Sequence, residues 1–206
     1  MTNSSMQLIR NRIEKLPYGS SFVVADFTDL TDYENAKKCL LRLEKDSIIR
    51  RVIRGIYDKP YFSRAINEYA SPDIQEIAQA IARNYNWKIA PTGLTSLNLL
   101  GLSTQVINVY EYYSSGQYKT YQIGNIKISF KHKSSKELLD LSYHSLLVIQ
   151  AIKEIGQDIN EEQLSLIRQR LTAKEKEILF KESSYVTKWV FEKIKDVCSM
   201  EEKCIK

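Results

Sequence analysis

Apolar residues recur along this chain at helical spacing in some stretches and at every second position in others. Leu8, Ile9, Ile13 and Leu16, with Arg12 among them, follow a helical period that stops at Pro17. Tyr18-Gly19-Ser20-Ser21 breaks the chain, and Phe22-Val23-Val24 is a short apolar run. A brief helix is expected over Asp26–Leu30. Thr31-Asp32-Tyr33-Glu34 has the form of a capping box, in which the Thr31 hydroxyl accepts from an amide and Glu34 reaches back. The helix that follows is predicted to run to about Lys45, with Ala36, Leu40 and Leu43 as its inner stripe. Its opposite face holds Asn35, Lys38, Arg42 and Lys45. Ile48 to Tyr57 then reads as two short strands around a tip at Gly55, the natural residue for a positive φ.

Further along, Pro60 and Pro72 bracket a connector. A helix is expected from Asp73 to about Tyr85, and Pro91 and Gly93 interrupt before a short helix over Leu94–Leu100 that ends at Gly101. Three strands are expected next, over Val106–Tyr113, Lys119–Ile123 and Ile126–Lys133, joined by Ser114-Ser115-Gly116 and by the hairpin turn Gly124-Asn125. In the last strand Ile126, Ile128 and Phe130 face one way and Lys127, Ser129, Lys131 and Lys133 the other. Four helices complete the pattern: Leu138–Ile155, Glu161–Leu171, Ala173 to about Phe180, and Tyr185–Val197. The last eight residues or so are expected to fray.

These elements predict an α+β protein. A winged helix-turn-helix over residues 1–60 precedes a mixed domain, residues 61–206, with a small antiparallel β meander and a helical C-terminal part. The length of 206 residues fits one large domain or two small ones. Composition adds little: 43% hydrophobic and 27% charged residues are ordinary for a globular chain. The net charge of +5 permits a nucleic-acid partner without demanding one. Cys39, Cys198 and Cys204 form no C-x-x-C pair, which argues against a disulfide framework or a zinc site. Free thiols, the lack of a signal-peptide pattern at the start and the lack of a long apolar run lead us to expect a cytoplasmic protein with no membrane partner.

The chemistry concentrates at the N-terminal unit. Arg and Lys pair with guanine edges or phosphates, and Asn pairs with adenine, so the helix with Tyr33, Asn35, Lys37, Lys38, Arg42 and Lys45 fits a major groove. A hairpin carrying Arg50, Arg51 and Arg54 fits a wing along the phosphate backbone. The plainer reading is a solvated basic helix with a surface hairpin. A second basic surface is suggested by Lys119, Lys127, Lys131 and Lys133 near Tyr118, Tyr121 and Phe130, although a half-buried sheet shows the same alternation for structural reasons alone. No nucleophile elbow, phosphate loop or paired-carboxylate site is visible, and His132 and His144 read as structural or surface residues. No catalytic residue, metal or cofactor is therefore expected.

Several blocks together are more specific than any one. They are Arg50 to Tyr57, Ile89-Ala90-Pro91-Thr92-Gly93, Leu99 to Val106, Ile123-Gly124-Asn125 with Phe130-Lys131-His132, Leu147 to Ala151, and Tyr185 to Trp189. On these blocks the chain resembles, end to end, the antitoxins of type IV toxin–antitoxin systems, the abortive-infection (AbiE-type) class used in phage defence. The resemblance implies an N-terminal winged helix that binds operator inverted repeats in double-stranded DNA and represses its own operon. It also implies a C-terminal domain that counters a nucleotidyltransferase-like toxin without a stable complex. The alternatives are a plain winged-helix regulator whose C-terminal domain senses a ligand or partner, and an interaction module whose winged helix does not touch DNA.

Overall fold

The computed structural model describes residues 4–133, 138 and 141–199. Contacts divide the chain into two units, Met1–Trp87 and Lys88–Lys206, and each is taken by itself. The boundary expected at residue 60 thus lies at Trp87.

The first unit opens with α1 (Ser5–Lys15). Lys59 closes its end: the Nζ donates to the carbonyls of Glu14 and Leu16, at 2.7 Å each. A cation there satisfies carbonyls that have no partner inside the helix. Arg12 clamps α1 to the following turn through a two-pronged contact with Asp29 at 2.7 and 2.6 Å. Strand β1 (Ser21–Val23) leads into a 3-10 turn over Val24–Phe27, where a brief helix was expected over Asp26–Leu30. Helix α2 (Tyr33–Lys45) follows.

The cap of α2 is Asp32 rather than Thr31. The Asp32 carboxylate accepts from the Asn35 amide at 3.0 Å, and a full negative charge suits the positive end of a helix. Thr31 instead accepts from the Asn35 side-chain amide at 2.8 Å. Strands β2 (Arg50–Ile53) and β3 (Ile56–Asp58) make the expected hairpin, with Gly55 at its tip at φ 83°. The sheet order is β1-β3-β2, all antiparallel, so β3 is central and fully buried.

One face of this sheet, through Phe22 and Tyr57, joins a core with Ile9, Ile13, Leu40 and Leu43. Val23, Ile56 and Asp58 point to the other face and are also buried. Helix α3 (Ile74–Asn84) packs along β1 and reaches β3. Arg83 fastens it by donating to the Ser21 carbonyl at 2.8 Å and pairing with Asp26 at 3.3 Å. These contacts are why residues 61–87 belong to the first unit. Between them, where a connector was expected, β4 (Phe62–Ser63) and β5 (Glu68–Tyr69) form a small hairpin.

The second unit begins with β6 (Ile89–Pro91) and α4 (Gly93–Leu100), which Gly101 ends at φ 72°. Strands β7 (Val109–Ser114), β8 (Lys119–Ile123) and β9 (Ile126–His132) complete a four-stranded sheet. Its order is β6-β7-β9-β8, and β7 runs parallel to β9. The expected antiparallel meander is therefore corrected. The β8–β9 hairpin forms, but β9 inserts between β7 and β8, and β6 adds a strand that was not foreseen. Alternation fixes which face a side chain takes and leaves the neighbouring strand open. Ile128 and Phe130 of β9 are both buried, as suits an inner strand.

Four helices follow: α5 (Tyr143–Ile155), α6 (Glu161–Arg170), α7 (Ala173–Glu182) and α8 (Lys188–Cys198). Their core gathers Val148, Ile149 and Ile152 of α5 with Val190, Ile194 and Val197 of α8, all fully buried. The expected first helix began at Leu138; α5 begins at Tyr143, and residues 139–140 lie outside the described residues. The fraying expected at the end falls on residues of which 200–206 also lie outside them. Among the described residues no helix is long and apolar enough to cross a membrane.

Candidate nucleic-acid interface

Helix α2 turns its Ala36, Cys39, Leu40 and Leu43 stripe inward, and all four are buried. At about 100° per residue, Lys38, Arg42 and Lys45 fall within about 60° of one another on the opposite side. All three are exposed. Among the described residues none has an ion pair or side-chain hydrogen bond. Tyr33, on the first turn, is half exposed at 50%. Lys37 lies on the flank and approaches Glu34 at 3.7 Å. Asn35 is half-buried, and its amide is held by Thr31. It does not join the basic stripe.

The hairpin divides its three arginines. Arg50 makes a two-pronged contact with Asp58, at 3.1 Å from Nε and 2.5 Å from Nη2, and its Nη1 donates to the Ala70 carbonyl at 3.0 Å. Asp58 is fully buried, so this pair neutralises a carboxylate inside the unit. Arg50 is thus taken up within the fold rather than offered outward. Arg51 and Arg54 are exposed, and among the described residues no ion pair engages either of them. Beside the hairpin, Arg64 is likewise exposed and unpaired. It was missed in the sequence because residues 60–72 read as a connector; Phe62-Ser63 and Glu68-Tyr69 around Asn67 were the available hairpin signal. Asn67 supplies a positive φ of 53°.

The other arginines of this unit are committed. Arg10 pairs with Glu14, Arg12 with Asp29 and Arg83 with Asp26. Lys59 caps α1. Among the described residues of this unit, the exposed cations without an ion pair are Lys15 on α1 and those on the outward face of α2, on the β2–β3 hairpin and on the neighbouring β4–β5 hairpin. An array of cations without carboxylate partners repels itself and is relieved by an anionic partner.

The second basic surface does not assemble as expected. Lys127 and Lys131 lie on one face of the four-stranded sheet, but Lys119 pairs with Phe130 across β8 and β9 and so sits on the opposite, buried face. Lys131 is bound to Glu111 at 2.8 Å, which raises the lysine above its ordinary pKa. The Lys133 ammonium lies over the Tyr113 ring at 4.1 Å. The charge left there is smaller than the lysine count suggests. None of the curated proteins matches this chain. Residues 8–179, most of its length, match a family of unknown function, DUF6088, and the chain belongs to that family.

Proposed function

We propose that the first unit is a winged-helix module that binds double-stranded DNA, with α2 in the major groove and the β2–β3 hairpin as the wing. The observation that carries this reading is the segregation of cations. Lys38, Arg42, Lys45, Arg51 and Arg54 are exposed and unpaired, whereas Arg10, Arg12, Arg50 and Arg83 each hold a carboxylate of the unit. The order α1, β1, a 3-10 turn, α2, β2, β3 supports this reading, since in a winged helix one helix reads bases and the hairpin after it grips phosphates. Arg50 leaves the wing's DNA contacts to Arg51 and Arg54.

The chain as a whole is proposed as a type IV antitoxin that also represses its own operon. The sequence resemblance alone supports that part, together with its toxin partner, which would resemble nucleotidyltransferases. A gel-shift titration on DNA from upstream of the gene tests the DNA reading. Arg42→Ala should weaken binding by about 1–3 kcal/mol if Arg42 reads a base. A variant that binds like the parent would remove α2 from the groove. Co-expression with a neighbouring nucleotidyltransferase-like gene tests the antitoxin reading, which fails if this chain gives no protection.

A further inference from the structure

Beside the wing, the turn after α2, Pro60 and the β4–β5 hairpin enclose two adjoining hollows of about 580 and 320 Å³. They share Ser47, Pro60 and Tyr69 in their walls. These volumes lie near the range of small-ligand sites, about 300–1,000 Å³. Four aromatic rings stand in water here: Tyr18 at 65% exposure, Tyr61 at 51%, Phe62 at 42% and Tyr69 at 55%. They form two edge-to-face pairs, Tyr18 with Tyr61 at 5.7 Å and Phe62 with Tyr69 at 5.1 Å. Each such pair covers one face of one ring, and the Lys59 ammonium lies over Tyr18 at 4.6 Å, so the faces left open belong chiefly to Tyr61, Phe62 and Tyr69. Arg64 lines the larger hollow and Arg51 the smaller. Both are exposed and without an ion pair among the described residues. Among the described residues, Glu44 is the one carboxylate that lines either hollow.

Open ring faces flanked by unpaired guanidinium groups suit a ligand that carries flat bases and phosphates together. A duplex offers phosphates and base edges but keeps its base faces stacked. The occupant therefore has its bases free. We infer that this groove binds unpaired nucleotides of single-stranded DNA, with Tyr69 and Tyr61 stacking on bases and Arg51 and Arg64 holding phosphates. The choice of DNA rests on the duplex reading proposed above, because Arg51 belongs both to the wing and to the groove. A strand leaving a duplex gripped by the wing would enter the groove beside Arg51.

Fluorescence anisotropy with the full chain tests this, using a labelled short oligothymidine, an oligouridine of equal length and the upstream duplex. The oligothymidine should bind, and more weakly as salt rises. Tyr69→Ala should lower its affinity about fivefold to 150-fold, the range that base–aromatic stacking carries. Tyr69→Phe should restore it, since the ring and not the hydroxyl does the stacking. Arg64→Ala should flatten the salt slope by about 0.7 of a unit. Arg42→Ala should leave oligothymidine binding unchanged while weakening the duplex. Unaltered thermal unfolding of Tyr69→Ala shows that the loss is local. No binding by the parent, or binding unmoved by Tyr69→Ala, overturns the proposal. A preference for oligouridine overturns the assignment to DNA. Oligothymidine binding that depends on Tyr69 with no duplex binding at all would uphold the groove and sink the α2 reading instead.

Discussion

Arg50, Arg51 and Arg54 lie almost side by side in the sequence, and their surroundings set them different tasks. Asp58 is fully buried, and Arg50, at 31% side-chain exposure, supplies its counter-charge. Arg50→Ala should therefore destabilise the first unit by about 2–3 kcal/mol, at or below the lower end for broken buried pairs because the arginine is partly solvated. Urea unfolding measures it, and a loss within error of zero would mean that Asp58 finds another partner. Arg51→Ala should leave stability nearly unchanged by the same assay. Gly93 offers a second test at this scale. A Cβ added there would lie 2.8 Å from Glu154 Cβ, inside contact distance and close to the carboxylate too. Gly93→Ala should cost about 1–3 kcal/mol, as overpacking does, because the Glu154 carboxyl can rotate away but its Cβ cannot. The double variant with Glu154→Ala, which removes the carboxyl group but keeps the Cβ at 2.8 Å, should recover only part of that loss.

The wing and the helix caps are tested as elements. If Arg54 grips a phosphate at the tip of the β2–β3 hairpin, Arg54→Ala should flatten the slope of log affinity against log salt by about one unit. It should do so on operator and scrambled duplexes alike, since phosphates carry no sequence. An unchanged slope on both would leave Arg54 as a surface charge. In the second unit α7 starts with a full capping box. The Glu175 carboxylate accepts from the Thr172 hydroxyl and amide, both at 2.7 Å, and the Glu175 amide donates back at 3.3 Å. The Thr172 hydroxyl, then its amide, hold Glu175 below the ordinary carboxylate value. A carboxyl depressed in the folded state stabilises above its unfolded value, and that contribution is lost as pH falls through the folded value. Thr172→Ala should cost about 1 kcal/mol at neutral pH and flatten the acid limb of the stability profile. An acid limb as steep as the parent's would show that Glu175 owes its depression to another group.

At the scale of the molecule, the position of the first boundary has a direct consequence. Helix α3 packs along β1, on a sheet whose Val23 and Asp58 are fully buried and whose Ile56 is 2% exposed. A fragment ending at residue 60 would lose α3 and with it the Arg83 contacts to Ser21 and Asp26. Residues 1–87 should therefore unfold cooperatively as an isolated fragment, and residues 1–60 should not. Thermal unfolding followed by circular dichroism decides it. Equal cooperativity in the two fragments would place the boundary back at Pro60.

Local patterning determined most of the elements. The stripe of Ala36, Leu40 and Leu43 set the inner face of α2 and thereby the outward place of Lys38, Arg42 and Lys45, because helical geometry needs no knowledge of neighbours. Gly55 and Gly124-Asn125 fixed two hairpins through backbone conformations that few other residues adopt. What depended on partners distant in the chain was not legible. The removal of Arg50 from the basic surface follows from Asp58 and Ala70, and no periodicity encodes that contact. The same holds for Lys119, which sits on the far side of the sheet from Lys127. The parallel pairing of β7 with β9 escaped for a related reason: alternation prescribes faces, whereas strand order is chosen by which apolar residues must lie deepest. Tertiary structure also made a unit of residues 1–87 and brought Arg51, Arg64 and four aromatic rings around one groove, since only folding sets chain segments this far apart against one another.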